Sequence, residues 1–193
     1  MTLSASFLLV RHAAHGDLGE RLTGRGPEGG LSAAGRQQTE ALAARLSGEP
    51  IDALYASPRL RTQETAAAIA AASGTPVQLA AELDEIDFGQ WTGCRFDELD
   101  GRPEWDAWNR VRSRARCPGG ESMTEAVDRA LSLLRALDER HAGGRVVAVT
   151  HCDIIRALLC WRDGRSLDRI LSYEAEPASV TPFDLGRRAR AAA

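Results

Sequence analysis

Short apolar runs alternate along the chain with longer stretches in which apolar residues recur every three or four positions. Residues 6–10 (SFLLV) form a short apolar run, read as a buried strand, and the run ends at Arg11-His12. Residues 13–30 are rich in glycine and charge and read as a long loop, a feature often tied to function. Residues 31–47 have helical spacing, with Ser32 as N-cap and Leu42, Ala43 and Leu46 on one face. Residues 52–57 (DALYAS) predict a second strand. After Pro58 a helix is expected over 60–72, then a third, weaker strand over 75–79.

Residues 82–93 (ELDEIDFGQWTG) read as loop, and 96–111 as helix broken near Pro103. The run RVRSRAR at 110–116 leads into Cys117-Pro118-Gly119-Gly120. Ser122 and Glu125 then form an S-x-x-E capping box. It opens a helix with Met123, Val127, Ala130, Leu134 and Leu137 as its apolar stripe, and Gly143-Gly144 ends it. Residues 145–150 (RVVAVT) are the clearest strand and run straight into His151; a helix over 153–161 and a last strand within 179–185 follow. The tail at 186–193 (GRRARAAA) reads as low-complexity and frayed.

Strands alternating with helices predict an α/β fold, a three-layer α/β/α sandwich with a mostly parallel central sheet. Without repeat or linker, residues 1–193 read as one domain, and 193 residues suffice to bury a core. The hydrophobic fraction of 44% is that of a globular protein rather than a disordered one. No apolar stretch reaches the ~18 residues of a membrane span. The net charge of -3 argues against a nucleic-acid partner. The N-terminus lacks a basic region and a long apolar run, so a cytoplasmic location is expected. Cys94, Cys117, Cys152 and Cys160 lack C-x-x-C spacing and are expected as free thiols. All 24 basic residues are arginine, which excludes Schiff-base lysines, the GxxxxGK[ST] phosphate loop and the protein kinases.

In parallel sheets, ligands bind beyond the C-terminal ends of the strands. The first strand brings Arg11-His12 to that edge, the second brings Ser57 with Arg59 and Arg61 just beyond, and the fourth brings His151. Two histidines among arginines suit a phosphoryl group: guanidinium forks hold its oxygens and an imidazole attacks phosphorus.

LLVRHAAH resembles the RHG motif of the histidine phosphatase superfamily, the phosphoglycerate mutase-like fold. SPRLRTQETA, LDEIDFGQWTG, PGGES and VAVTHCDIIRALL are similar to further segments of that family, in family order, and LSAAGRQQ resembles its first helix. The matches run from about residue 7 to 185. The resemblance implies a nucleophile at His12, a phosphate pocket completed by Arg11, Arg61 and His151, and a general acid at Glu85. It implies no cofactor and no metal, and a small phosphorylated substrate as partner. A metal-independent phosphatase is expected, with a phosphoglycerate mutase or a non-catalytic binder of phosphorylated ligands as alternatives. Residues 13–30 and 93–121 are expected to form substrate-loop and lid segments. Oligomeric state is not legible.

This chain also departs from the family pattern. Ala13 stands at the usual glycine, Ala14-His15 at the usual Glu/Gln-Thr pair, Leu18 at the usual asparagine, and Cys152-Asp153 at the usual glycines. His15 is therefore a candidate substitute contact for phosphate. Competing readings stay in view: His12, His15 and His151 as a zinc site, Asp84 or Asp87 as the acid, and Cys152 with His151 as a nucleophile pair. Charged, His151 is expected to stabilise the phosphoryl oxygens. Arg59 is expected at the pocket rim or in solvent, and 110–116 as a solvated face or an attractor of anionic substrates. Trp91, Trp105 and Trp108 are expected as packing.

Overall fold

The computed structural model describes residues 4–27 and 29–187. From residue 188 on, the tail that reads as frayed lies outside the described residues. Five strands form one sheet: β1 (Ser6–Arg11), β2 (Ala53–Ala56), β3 (Val77–Leu79), β4 (Arg145–Thr150) and β5 (Val180–Phe183), in the order β3-β2-β4-β1-β5. Every pairing is parallel except β1 with β5, whose antiparallel strand closes one edge. The helices are α1 (Ala33–Leu46), α2 (Leu60–Ser73), α3 (Phe96–Leu99), α4 (Pro103–Arg110), α5 (Met123–Arg140) and α6 (Cys152–Arg162). Among the described residues no helix is long and apolar enough to cross a membrane.

Successive residues of each central strand point to opposite faces, so each strand feeds two cores. Val10, Leu54, Ala56, Val147 and Val149 pack with Leu42 and Leu46 of α1 and Ala66 and Ile69 of α2. Phe7, Leu9, Tyr55, Val146 and Ala148 pack on the other side, in one cluster with the apolar stripe of α5 and the buried face of α6. This is the expected three-layer sandwich, and it explains the continuous apolar runs of β1 and β4.

Ser32 caps α1 by accepting from Gly35 N at 3.1 Å, and the Ser122–Glu125 capping box opens α5. Gly35 cannot carry a side chain: a Cβ there would lie 2.0 Å from the Ala14 carbonyl oxygen. That close approach seats the loop after β1 on α1. Three details differ from expectation. Ala43 is only half-buried, and the inner face of α1 is Gly35, Thr39, Leu42 and Leu46. The third strand shrinks to Val77–Leu79, with Gln78 and Leu79 exposed, as suits an edge. The 82–93 loop contains two short 3-10 turns, Ala81–Leu83 and Gly89–Trp91.

Candidate active site

The register of the parallel strands sets where the chemistry lies. Arg11 pairs with Thr150 across β1 and β4, and Ala56 with Val149 across β2 and β4. The next residues, His12, Ser57 and His151, therefore leave the sheet at one edge. His12 N donates to Thr150 O at 3.0 Å, and Ser57 N to Val149 O at 3.0 Å. Arg61 lies in the first turn of α2, and its side chain is almost fully buried.

A cleft of about 270 Å³ opens at this edge. Arg11, His12, His15, Arg61 and Glu85 line it, and His151 sits beneath them, fully buried. The sequence-derived site residues thus come together. The His12 ring lies 5.2 Å from that of His151 and 5.4 Å from that of His15. His12 Nδ1 is 2.9 Å from the Ala13 carbonyl oxygen. A carbonyl only accepts, so Nδ1 carries the proton and Nε2 keeps its lone pair. Ala13 fits where the resemblance implies glycine: it is buried, and its N–H donates to Thr65 Oγ1 at 3.0 Å.

Electrostatics keep the histidines neutral. Burial, then Arg61, holds His12 and His151 well below the ordinary imidazole range. Burial, then Arg61, brings His15 down to about 4. His151 is thus held neutral by its surroundings, so the stabilising role read for its charged form calls for negative charge brought close to the ring. Arg61 Nη2 donates to its Nδ1 at 3.0 Å, which places the ring proton on Nε2.

Glu85 moves the opposite way. Burial first, and then the neighbouring Asp153, raise its carboxyl to about 7 against the pull of Arg61 and Arg11. Its Oε2 lies 3.8 Å from His151 Nδ1. The PGGES segment holds this loop in place. Gln90 N donates to Pro118 O at 2.9 Å, and Glu121 N to Asp87 O at 2.8 Å. Such backbone-to-backbone contact requires glycine: a Cβ on Gly120 would lie 2.1 Å from Asp87 O. Glu121 adds ion pairs to Arg25 at 2.7 Å and Arg129 at 3.0 Å.

Of the competing acids, Asp84 turns away from the cleft and accepts from Ser57 Oγ, while Asp87 accepts from Gly89 N. Cys152 borders the cleft, but burial raises its thiol to about 11, so it carries no thiolate for attack near neutrality. Arg59, expected at the pocket rim or in solvent, is half-buried and does not line the cleft: it pairs with Asp84 at 3.1 Å and donates to Arg25 O at 2.8 Å. Trp91, Trp105 and Trp108 pack edge-to-face as expected, and Trp105 also reaches the cleft wall.

Sequence reasoning underrated two wall residues. Arg112 is buried rather than solvated; it pairs with Asp153 at 2.7 Å, and its guanidinium lies 5.3 Å from the centroid of the Trp108 ring. Asp153 and Arg112 both line the cleft. Within RVRSRAR no pattern separated Arg112 from Arg110 and Arg114, which are exposed.

A family model described as "Histidine phosphatase superfamily (branch 1)" matches residues 7–192. The chain is 32% identical over 160 residues to phosphoserine phosphatase 1 of Hydrogenobacter thermophilus, covering 82% of this chain and 76% of that one. It is 36% identical over 159 residues to phosphoglycerate mutase-like protein 4 of Arabidopsis thaliana, covering 80% and 69%. Among solved structures it superposes on Bacillus stearothermophilus YhfR with a TM-score of 0.89 at 25% identity, covering 96% of this chain and 94% of that one.

Proposed function

The chain belongs to the histidine phosphatase superfamily, and from that premise we propose that it is a metal-independent phosphatase that hydrolyses a small phosphomonoester through a phosphohistidine on His12. The observation that carries this reading is the convergence of His12, Arg11, Arg61 and Glu85 on one cleft, with His12 Nδ1 bonded to the Ala13 carbonyl so that Nε2 keeps its lone pair; burial raises the Glu85 carboxyl to about 7. His12 is then a competent nucleophile and Glu85 a competent acid near neutrality.

The reaction runs in two halves. Arg11 and Arg61 hold the phosphoryl oxygens, with His15 as a further contact. His12 Nε2 attacks phosphorus, the ester P–O bond breaks, and protonated Glu85 gives its proton to the departing oxygen. Glu85, now a carboxylate, takes a proton from water as that water's oxygen attacks phosphorus and the P–N bond to His12 Nε2 breaks, returning the lone pair to the ring. Inorganic phosphate leaves, and both His12 and Glu85 return to their starting states. His151 lies beside the reacting group, where its ring stabilises charge on the phosphoryl oxygens.

An anionic substrate is supported by the wall: Arg11, Arg21, Arg61, Arg112 and Arg156 face two carboxylates, Glu85 and Asp153. Hydrolysis is favoured over mutase transfer because the 111–116 segment is tied down at two points. At the cleft wall Arg112 holds Asp153, and next to it Ser113 N donates to Asp168 Oδ1 at 2.8 Å. A mutase needs a cover that closes over the phosphohistidine and excludes water. The test is hydrolysis of p-nitrophenyl phosphate between pH 5 and 8 with chelator present, for wild type and His12→Ala. Chelator-resistant turnover lost in the variant is expected. Turnover that chelator abolishes, or that His12→Ala keeps, would sink the reading.

A further inference from the structure

On the side of His151 turned away from the cleft lies a buried polar group that the two half-reactions do not use. We propose that Ser57 and Asp84 form a positioning relay that fixes the tautomer of His151 and supplies the counter-charge for a second ring proton when a phosphoryl group enters the cleft. The proposal rests on the reading of His151 as a phosphate-pocket residue.

The direction of the relay follows from which groups can donate. Arg61 is always a donor, so His151 Nδ1, 3.0 Å from its Nη2, accepts. The ring proton then sits on Nε2, 2.8 Å from Ser57 Oγ, and is donated to it. Ser57 in turn donates its hydroxyl hydrogen to Asp84 Oδ1 at 3.1 Å. Both His151 and Ser57 are fully buried, and Asp84 nearly so. The residue types are those of a hydrolytic serine triad, but the polarity is reversed. In a nucleophilic serine the hydroxyl hydrogen points to the imidazole. Here it points to the carboxylate, and the oxygen has no access to substrate.

The groups facing His151 explain why a counter-charge matters. Arg61 from α2 and the His12 ring after β1 lie on the cleft side, and Glu85 Oε2 is 3.8 Å from Nδ1. Arg59 and Arg129 add positive potential from farther off. Asp84 Oδ1 is 3.7 Å from Nε2 and 3.1 Å from Arg59 Nε, and its Oδ2 is 3.7 Å from Arg25 Nε. With Arg61 donating to Nδ1 the ring stays neutral. A phosphoryl dianion draws the guanidinium to itself and reverses the local sign of charge. Nδ1 then takes a proton from solvent and donates it as a hydrogen bond to a phosphoryl oxygen. Nε2–H stays on Ser57, with the Asp84 carboxylate behind it.

The test uses the full chain labelled with ¹⁵N-histidine, whose four histidines give a simple two-bond ¹H–¹⁵N spectrum. Vanadate serves as the phosphate probe, and His151→Gln assigns the signal. The free wild type is expected to show His151 as the Nε2–H tautomer, and the vanadate complex to show it as imidazolium. Ser57→Ala is expected to mix the tautomers, and Asp84→Asn to leave His151 neutral in the complex. In both, kcat on p-nitrophenyl phosphate falls about 10–100-fold while KM moves less than about threefold, the split expected when transition-state positioning is lost. Ser57→Thr restores the hydroxyl and the wild-type spectrum. Arg59→Gln removes an ion pair of Asp84 but not the relay, and also keeps that spectrum. An Nδ1–H tautomer in the free wild type would overturn the proposal, as would wild-type spectra in both Ser57→Ala and Asp84→Asn. The free-protein spectrum does not depend on turnover, so a failure of the phosphatase reading would be seen separately.

Discussion

The floor of the cleft and its mouth are built by different means. The floor hangs from the ends of three parallel strands, whose register places His12, Ser57 and His151 within one hydrogen-bonded edge. The mouth is built from the 13–30 segment and from α3, α4 and the turns around them. Leu22 N donates to Cys94 O at 2.9 Å, and Gly93 N to Leu22 O at 2.8 Å, so the 13–30 and 93–121 segments are hydrogen-bonded to each other. The floor's donors and acceptors are fixed by backbone geometry, and almost any change there removes chemistry. The mouth carries Leu18, Arg21, Phe96, Trp105, Asn109 and Arg112, none of them on a strand of the sheet. On the proposed function, the floor would set the reaction and the mouth which molecule undergoes it.

Substitutions at the floor give the largest expected effects. His12→Ala removes the nucleophile, and kcat should fall by about 10⁴-fold or more, measured by steady-state hydrolysis of p-nitrophenyl phosphate. A smaller loss would mean that the floor only binds. Glu85→Gln removes the proton donor, and a loss of about 10²–10⁴-fold is expected for alkyl phosphates. The loss should shrink for p-nitrophenyl phosphate, whose leaving group needs no proton. Equal losses on both substrates would take the acid's role away from Glu85.

The pH dependence sharpens the same contrast. Glu85 must be protonated for the first half-reaction, so kcat/KM should fall as pH rises through about 7. Stability carries the matching sign. The folded carboxyl has the higher pKa, so the native state binds more protons than the unfolded chain between about 4.5 and 7, and stability is lost as pH rises across that window. Glu85→Gln should therefore be more stable than wild type at pH 8, by up to about 3 kcal/mol, and nearly equal to it at pH 4. Denaturant melts at both pH values measure this. No stability gain at pH 8 would place Glu85 in a more solvated setting.

Packing behind the Glu85 loop gives an intermediate effect. Gly120→Ala puts a Cβ against the Asp87 carbonyl and should cost about 1–3 kcal/mol in a chemical melt, with a parallel loss of activity as Glu85 shifts. Changes at the mouth should be smallest and substrate-dependent. Arg112→Gln should raise KM about 3–10-fold for anionic substrates and leave kcat within about threefold. A large kcat effect there would erase the distinction between floor and mouth.

The same division explains what the sequence made legible. Strand ends are read from where apolar runs stop, so Arg11-His12, Ser57 and His151 could be placed together before any coordinates. Their arginine and carboxylate partners followed from the ordered motif segments. Asp84 was read as a competing acid because its sequence neighbourhood matches that of Glu85. Only the turn at Ala81–Leu83 and the bond from Ser57 show that it faces the other way. Arg112 was hidden in a run of arginines, and its burial depends on Asp153 and Trp108, 41 residues ahead and four behind. Edge strands were bounded least well, because β3 has little apolar pattern to mark its start.

The central claim is that the phosphoryl group rests on His12 between the two half-reactions. The most direct measurement is rapid mixing with a fast-leaving aryl phosphate, an alkaline quench that preserves phosphohistidine, and peptide mass spectrometry. The account predicts a phosphoryl mass on the peptide containing His12, formed within one turnover and absent from His12→Ala. Turnover at wild-type rate with no label on that peptide, or label on another residue, would contradict it.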